Sequence, residues 1–217
     1  RYRILDDVWA RQRAEYGYRD VRPQPLLVQF AGHPYIDIRA SFNSFVPATL
    51  SDDLAGRLVE FYLDWLQAHP HLHDKVEFEV VPTCYSLDFQ HWRERLQTHG
   101  AFSVGELDEL SEGLRAITTA AFHRTEADLA AVDGFRQRFE RLRGTSLPPL
   151  DKALALLEEC RRYGTCTFSH LARSAFVAVT LLRSAVSEGV LSGAAKEAFM
   201  QSIRTVSHRF TEDAELV

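Results

Sequence analysis

From Ser86 to Val217 no run alternates apolar with polar; the apolar residues recur every three or four positions instead. That confines β-structure to the first 85 positions and makes the rest a helical body. Within the first 85, three runs carry strand signals. "PLLVQFAGHPYIDIRAS" reads as two strands, about 26–30 and 35–41, joined by Ala31-Gly32-His33-Pro34. "KVEFEVV", 75–81, alternates Val76, Phe78 and Val80 against Glu77 and Glu79, and pairs most economically with that hairpin. The expected fold is α+β: mostly helical, about seven to eight helices, with a three-stranded antiparallel sheet. A single module spans 1–217, with a helix and the small sheet in 1–85 and the helical body in 86–217.

The helices have chemical boundaries. The first, 4–16, ends before Gly17 and the Pro23/Pro25 pair. Ser51, followed by Asp52 and Asp53, caps a helix running to Ala68 and closed by Pro70. "DFQHWRERLQTHG" ends at Gly100, and Ser103 with Glu106 forms a capping box for the next helix. Further helices are expected over 125–142, 151–163, 168–188 and 192–210, with "RGTSLPPL" before Asp151 as the best internal boundary. The 168–188 segment carries a stripe of Leu171, Ala175, Val179, Leu182 and Val186, and a polar edge with His170, Arg173 and Arg183. That is the pattern of a central bundle helix.

Composition excludes several classes. A hydrophobic fraction of 46% rules out global disorder. A net charge of −5 argues against nucleic acid as the main partner, and the basic runs around Arg138 and Arg141 alternate with acids as a solvated helix face does. Cys84, Cys160 and Cys166 are too scattered for a disulfide framework or a zinc ribbon, so a reducing, cytoplasmic setting is expected. The longest strongly apolar run, 175–182, is far short of the ~20 residues of a membrane helix, so no membrane association is expected. The chain opens on Arg1 and ends on "TEDAELV", which suggests an excised internal piece of a larger protein.

Two motifs invite catalytic readings. "GTCTFSHLARSAF", from Gly164, sets Ser169-His170 behind a glycine at a helix start, where a phosphate on the imidazole would meet free N–H groups. The spacing departs from the phosphohistidine carrier loop, and the alternative is a capped helix with His170 in its first turn. "HPHLHD" holds His69, His71 and His73 with Asp74, all metal-ligand types, yet Pro70 interrupts them and a solvated turn explains them as well. There is no Walker loop, dinucleotide fingerprint or nucleophile elbow, and no catalytic or metal residue is assigned. The polar rows of the expected sheet are the candidate binding or docking surface: Tyr35, Asp37 and Arg39, with Asn43 beyond them, beside Glu77 and Glu79. Arg39 could fork onto a small carboxylate or phosphate. A water-facing sheet with cross-strand ion pairs would produce the same row.

Taken together, "WARQRAEYGYRD", "HPYIDIRASFNSFVP", "LHDKVEFEVVPTCYSLDF" and "HLARSAFVAVTLLRSAVSEGVLS…AFMQSIRTVS" resemble the middle region of phosphoenolpyruvate-synthase-like proteins, relatives of pyruvate phosphate dikinase. "YIDIRASFNSF" and "VEFEVVPTCYSLDF" are the most specific parts. The resemblance implies a multidomain phosphotransferase in which ATP and Mg act in an ATP-grasp domain. A swivelling phosphohistidine domain then carries the phosphoryl group to an acceptor such as pyruvate. It implies no catalytic residue and no cofactor within these 217 residues, whose partners would be the neighbouring domains of the same chain. The alternative is a non-catalytic helical protein-interaction module.

Overall fold

The computed structural model describes residues 3–203, with side-chain surroundings from Val8 onward. Helix α1 (Arg3–Tyr16) is followed by a hairpin of β1 (Leu27–Phe30) and β2 (His33–Ile36), then α2 (Ile38–Asn43) and α3 (Asp52–Ala68). A 3₁₀ turn at Pro70–Leu72 and a π-helical turn at Val76–Val80 lead into α4 (Phe89–Gly100). The 40-residue α5 (Val104–Arg143) then runs into α6 (Pro149–Glu159), a second π-helical turn (Cys160–Gly164), α7 (Thr165–Ser187) and α8 (Gly193–Ser202).

The class is α+β and mostly helical, with eight α-helices and a two-stranded antiparallel sheet among the described residues. Two strands, not three, form because both polar runs turn into helix. The hairpin closes on Ala31 and Gly32, both at positive φ, so His33 and Pro34 belong to β2 and Leu27 pairs with Ile36. The strand expected over 35–41 stops at Ile36. Asp37 instead accepts a hydrogen bond from Ala40 N at 3.0 Å and caps α2, burying Ala40 and Phe42. A capping acid that ties off a helix start outweighs a short alternation. "KVEFEVV" does not pair with the hairpin. It winds into a turn that buries Val80 and sends Glu77 inward, opposite to the side the alternation assigns it.

The expected cap at Ser51 is present, accepting from Leu54 N at 3.2 Å, and so is the Ser103–Glu106 capping box. The two helices expected from Ser103 to Leu142 are one continuous α5, which holds no proline and carries Gly113 and Gly134 in its interior. The boundary at "RGTSLPPL" is a tight link between α5 and α6. The helix expected over 192–210 is seen as far as Ser202, and the part beyond residue 203 lies outside the described residues.

One core holds the proximal part of the molecule. It packs Leu54, Leu58 and Tyr62 of α3 against Leu107, Leu110, Leu114 and Ile117 of α5, with Phe42, Phe45, Val80, Val81 and Leu96 around them. Of α7, Val177 joins it. Beyond Ala121 the pair formed by α5 and the α6–α7 rod leaves this core, and no residue of α6 is buried. By length and composition the helix Pro149–Ser187 is apolar enough to cross a bilayer, and 17% of its most apolar stretch is buried. That same helix carries His170 and Arg173, whose side chains are held in the buried polar networks described next.

Candidate functional site

The six residues of the expected polar sheet face are dispersed. Tyr35 is half exposed on the hairpin, edge-on to Phe30 at 5.6 Å. Asp37 is spent as a helix cap. Arg39 pairs with Glu60 of α3 on the surface, and Asn43 Nδ2 donates to Arg39 O at 3.0 Å. Glu77 and Glu79 stay together away from these four, and they border a cavity of about 310 Å³.

Three sequence segments wall this cavity: the π-helical turn with Glu77–Glu79, the loop Pro82–Asp88 with His91, Trp92 and Arg95 of α4, and Thr180, Arg183 and Ser184 of α7. Side chains replace the missing ladder bonds of the loop. Tyr85 N donates to Thr118 Oγ1 at 2.8 Å and Leu87 N to Ser184 Oγ at 3.1 Å, tying the loop to α5 and α7. Ser86 Oγ donates to Asp88 Oδ1 at 2.6 Å. Arg95 Nη1 donates to the Glu79 carbonyl at 2.7 Å, while its guanidinium lies 4.7 Å from the Trp92 ring and 5.0 Å from that of Trp65. Arg183 rests on the face of Phe78 at 4.3 Å.

Beneath the cavity, Glu77 sits between two buried arginines. Arg173 Nη1 is 2.6 Å from Glu77 Oε2, and Arg13 Nη2 is 3.7 Å from Oε1. Arg13 also donates to Ser44 Oγ at 3.3 Å and lies 3.5 Å over the Phe45 ring. Burial, and then the neighbouring Arg173, pull the Arg13 guanidinium well below its ordinary value. Tyr18 donates to the Thr83 carbonyl beside them. One carboxylate thus joins α1, the π-helical turn and α7. A buried pair of cations needs that charge.

The cavity wall holds hydroxyls and a thiol, but no activated nucleophile. Burial pushes the Cys84 thiol up to about 11 against the opposing effect of a hydrogen bond with Thr180, so it is protonated near neutral pH. Among the described residues no wall hydroxyl is hydrogen-bonded to a histidine. The sequence reading singled out Arg173 and Arg183 on the polar edge of their helix. Arg13, Arg95 and the loop hydroxyls carried no local signal, because their roles depend on partners distant in the chain.

The Ser169-His170 pair does not sit at a helix start. Gly164 is helical, at φ −63° and ψ −48°, and α6 continues through the π-helical turn into α7, so no free N–H groups face the imidazole. His170 Nε2 is 3.0 Å from Glu15 Oε2 and Nδ1 is 3.4 Å from Asp128 Oδ1. Arg124 Nη2 is 3.0 Å from Nδ1, and Arg124 also grips Asp128 through Nε at 3.1 Å. Tyr16 donates to the His170 carbonyl at 2.8 Å. Burial, then Arg124, lower the imidazole below its ordinary value near 6.5, outweighing the two carboxylates. The folded state therefore holds fewer protons than the unfolded one just below that value. Stability is complete above it and declines as pH falls through it. Urea unfolding between pH 7.5 and 5 is expected to show this decline and His170→Gln to flatten it; equal slopes in both proteins would remove His170 as its source.

The histidines of "HPHLHD" do not converge. His69 stacks on Trp65 at 4.3 Å with Nδ1 2.9 Å from the Trp65 carbonyl, and His73 Nδ1 lies 3.1 Å from the Pro70 carbonyl. Among the described residues no group of three or more His, Cys, Asp or Glu is placed to hold a metal ion. Comparison with protein-family models, with curated proteins and with solved structures returns no match.

Proposed function

We propose that the chain is an internal module of a phosphoenolpyruvate-synthase-like phosphotransferase. It acts there as a docking or acceptor-facing domain, and it is not active alone. The observation that carries this reading is the makeup of the cavity. "VEFEVVPTCYSLDF" supplies one of its walls and part of a second, and "HLARSAFVAVTLLRSAV" the third, so two separate stretches of the resemblance meet at one place. Arg95 and Arg183 there, without an activated nucleophile, suit holding a small charged molecule rather than transforming it. ATP and Mg would act in other segments of the longer protein, in a cytoplasmic setting.

A second feature bears on the docking role. Leu150, Leu154 and Leu157 of α6, at i, i+4 and i+7, form an apolar line exposed by 71%, 58% and 68%. A neighbouring domain of the same polypeptide is the cover this reading gives it. The alternative, a stand-alone helical interaction module, is favoured by the same line and separated by the reading frame around the chain.

The test is turnover of ATP with pyruvate by the 217-residue chain and by the longer protein that contains it. The longer protein is expected to turn over and the chain to be inert. Replacing Leu150, Leu154 and Leu157 by Ser in the longer protein is expected to slow turnover. ATP turnover by the chain alone, or an inert longer protein, would overturn the reading.

A further inference from the structure

Besides the paired Glu77, the cavity holds charges of both signs that make no ion pair among the described residues. Glu79 is exposed, and neither its carboxylate nor that of Asp88 has a cation within 4.0 Å among the described residues. Asp88 keeps one hydrogen bond, from Ser86. On the opposite sign, Arg183 rests on the Phe78 ring with no acid within 4.0 Å among the described residues, and Arg95 donates to a backbone carbonyl rather than to a carboxylate. Elsewhere on this molecule arginines find acids readily, as Arg19 does with Asp52 at 2.7 Å and Arg161 with Glu158. In the cavity Arg95 meets Glu79 through its backbone carbonyl, and Phe78 and Trp92 supply the aromatic part of the wall.

We propose that this cavity binds a small zwitterion of the α-amino acid class. Its ammonium group would lie toward Glu79 and Asp88, its carboxylate toward Arg183, and its side chain against Trp92. A volume of about 310 Å³ is at the small end of ligand sites, which suits a metabolite rather than a nucleotide. A lone anion drawn to Arg183 would meet the repulsion of two carboxylates. A lone amine would meet that of two guanidiniums. Only a ligand carrying both signs satisfies both sets. The inference does not rest on the phosphotransferase reading: it concerns binding by this chain, whatever reaction surrounds it.

The experiment is isothermal titration of the full 217-residue chain with L-serine, L-leucine and L-phenylalanine, and in parallel with pyruvate, inorganic phosphate and ethanolamine. At least one amino acid is expected to bind more than about tenfold tighter than every single-charge probe. Glu79→Gln and Arg183→Gln, both at exposed side chains, are expected to keep the circular dichroism spectrum and each weaken the amino acid about tenfold or more. No heat with any amino acid would overturn the proposal. So would phosphate or pyruvate binding as tightly as the amino acids, or unchanged affinity in both variants. Phosphotransferase turnover in the longer protein is a separate readout, so either reading can fail without the other.

Discussion

Glu77→Ala is expected to cost the folded protein about 3–5 kcal/mol, the loss typical of removing one partner from a buried ion pair. Arg13 and Arg173 are 2% and 6% exposed, so each guanidinium would be left in a dry site without a counter-charge. Their Nε groups already lack hydrogen-bond partners, so the site has no spare acceptor to take over. The loss should appear as a lower urea midpoint with little change in slope. Arg39→Ala is the matched control, because the Arg39–Glu60 pair is exposed on both sides and should not register. If the two variants unfold together, Glu77 is not the carboxylate that joins α1 to α7.

Leu114→Ala is expected to cost about 2–5 kcal/mol, whereas Leu154→Ala should stay within about 0.5 kcal/mol of the parent. Leu114 is fully buried on α5, in the core it shares with Leu54, Leu58 and Tyr62 of α3, and truncation there opens a void. Leu154 is 58% exposed on α6. Denaturation of the 217-residue chain measures both. A substantial loss at Leu154 would mean that the apolar line of α6 is covered within the chain, and the docking role assigned to it would fall.

Helix ends were legible because they are written in adjacent residues. Ser51 with its two aspartates, and Ser103 with Glu106, mark their starts chemically, and the observed caps use those atoms. The strand readings of 35–41 and 75–81 failed for a shared reason. Five or six alternating residues do not distinguish a strand from a short helical turn, and the outcome rests on side-chain bonds that the alternation does not show. For one run the decisive partner is the Asp37 side chain on its own helix start. For the other it is the pair of arginines, 64 and 96 residues away, that draws Glu77 inward. The cavity was half legible: Glu79, Arg173 and Arg183 stood out as polar residues on patterned segments. Arg13 and Arg95 did not, because a lone arginine on a helix looks the same whether it meets solvent or a buried acid.

The π-helical turn at Cys160–Gly164 sets the phase of the long rod. One additional residue in the winding rotates everything on its far side by about 100° relative to an uninterrupted α-helix. The leucine line of α6 stays exposed while α7 buries His170, Arg173, Val177 and Ser184, although both lie on one continuous helix. The turn works as a coupling between two shafts keyed at an offset. One end is locked into the body through His170 and Arg173, and the other presents its apolar edge at a fixed angle to whatever the rod reaches.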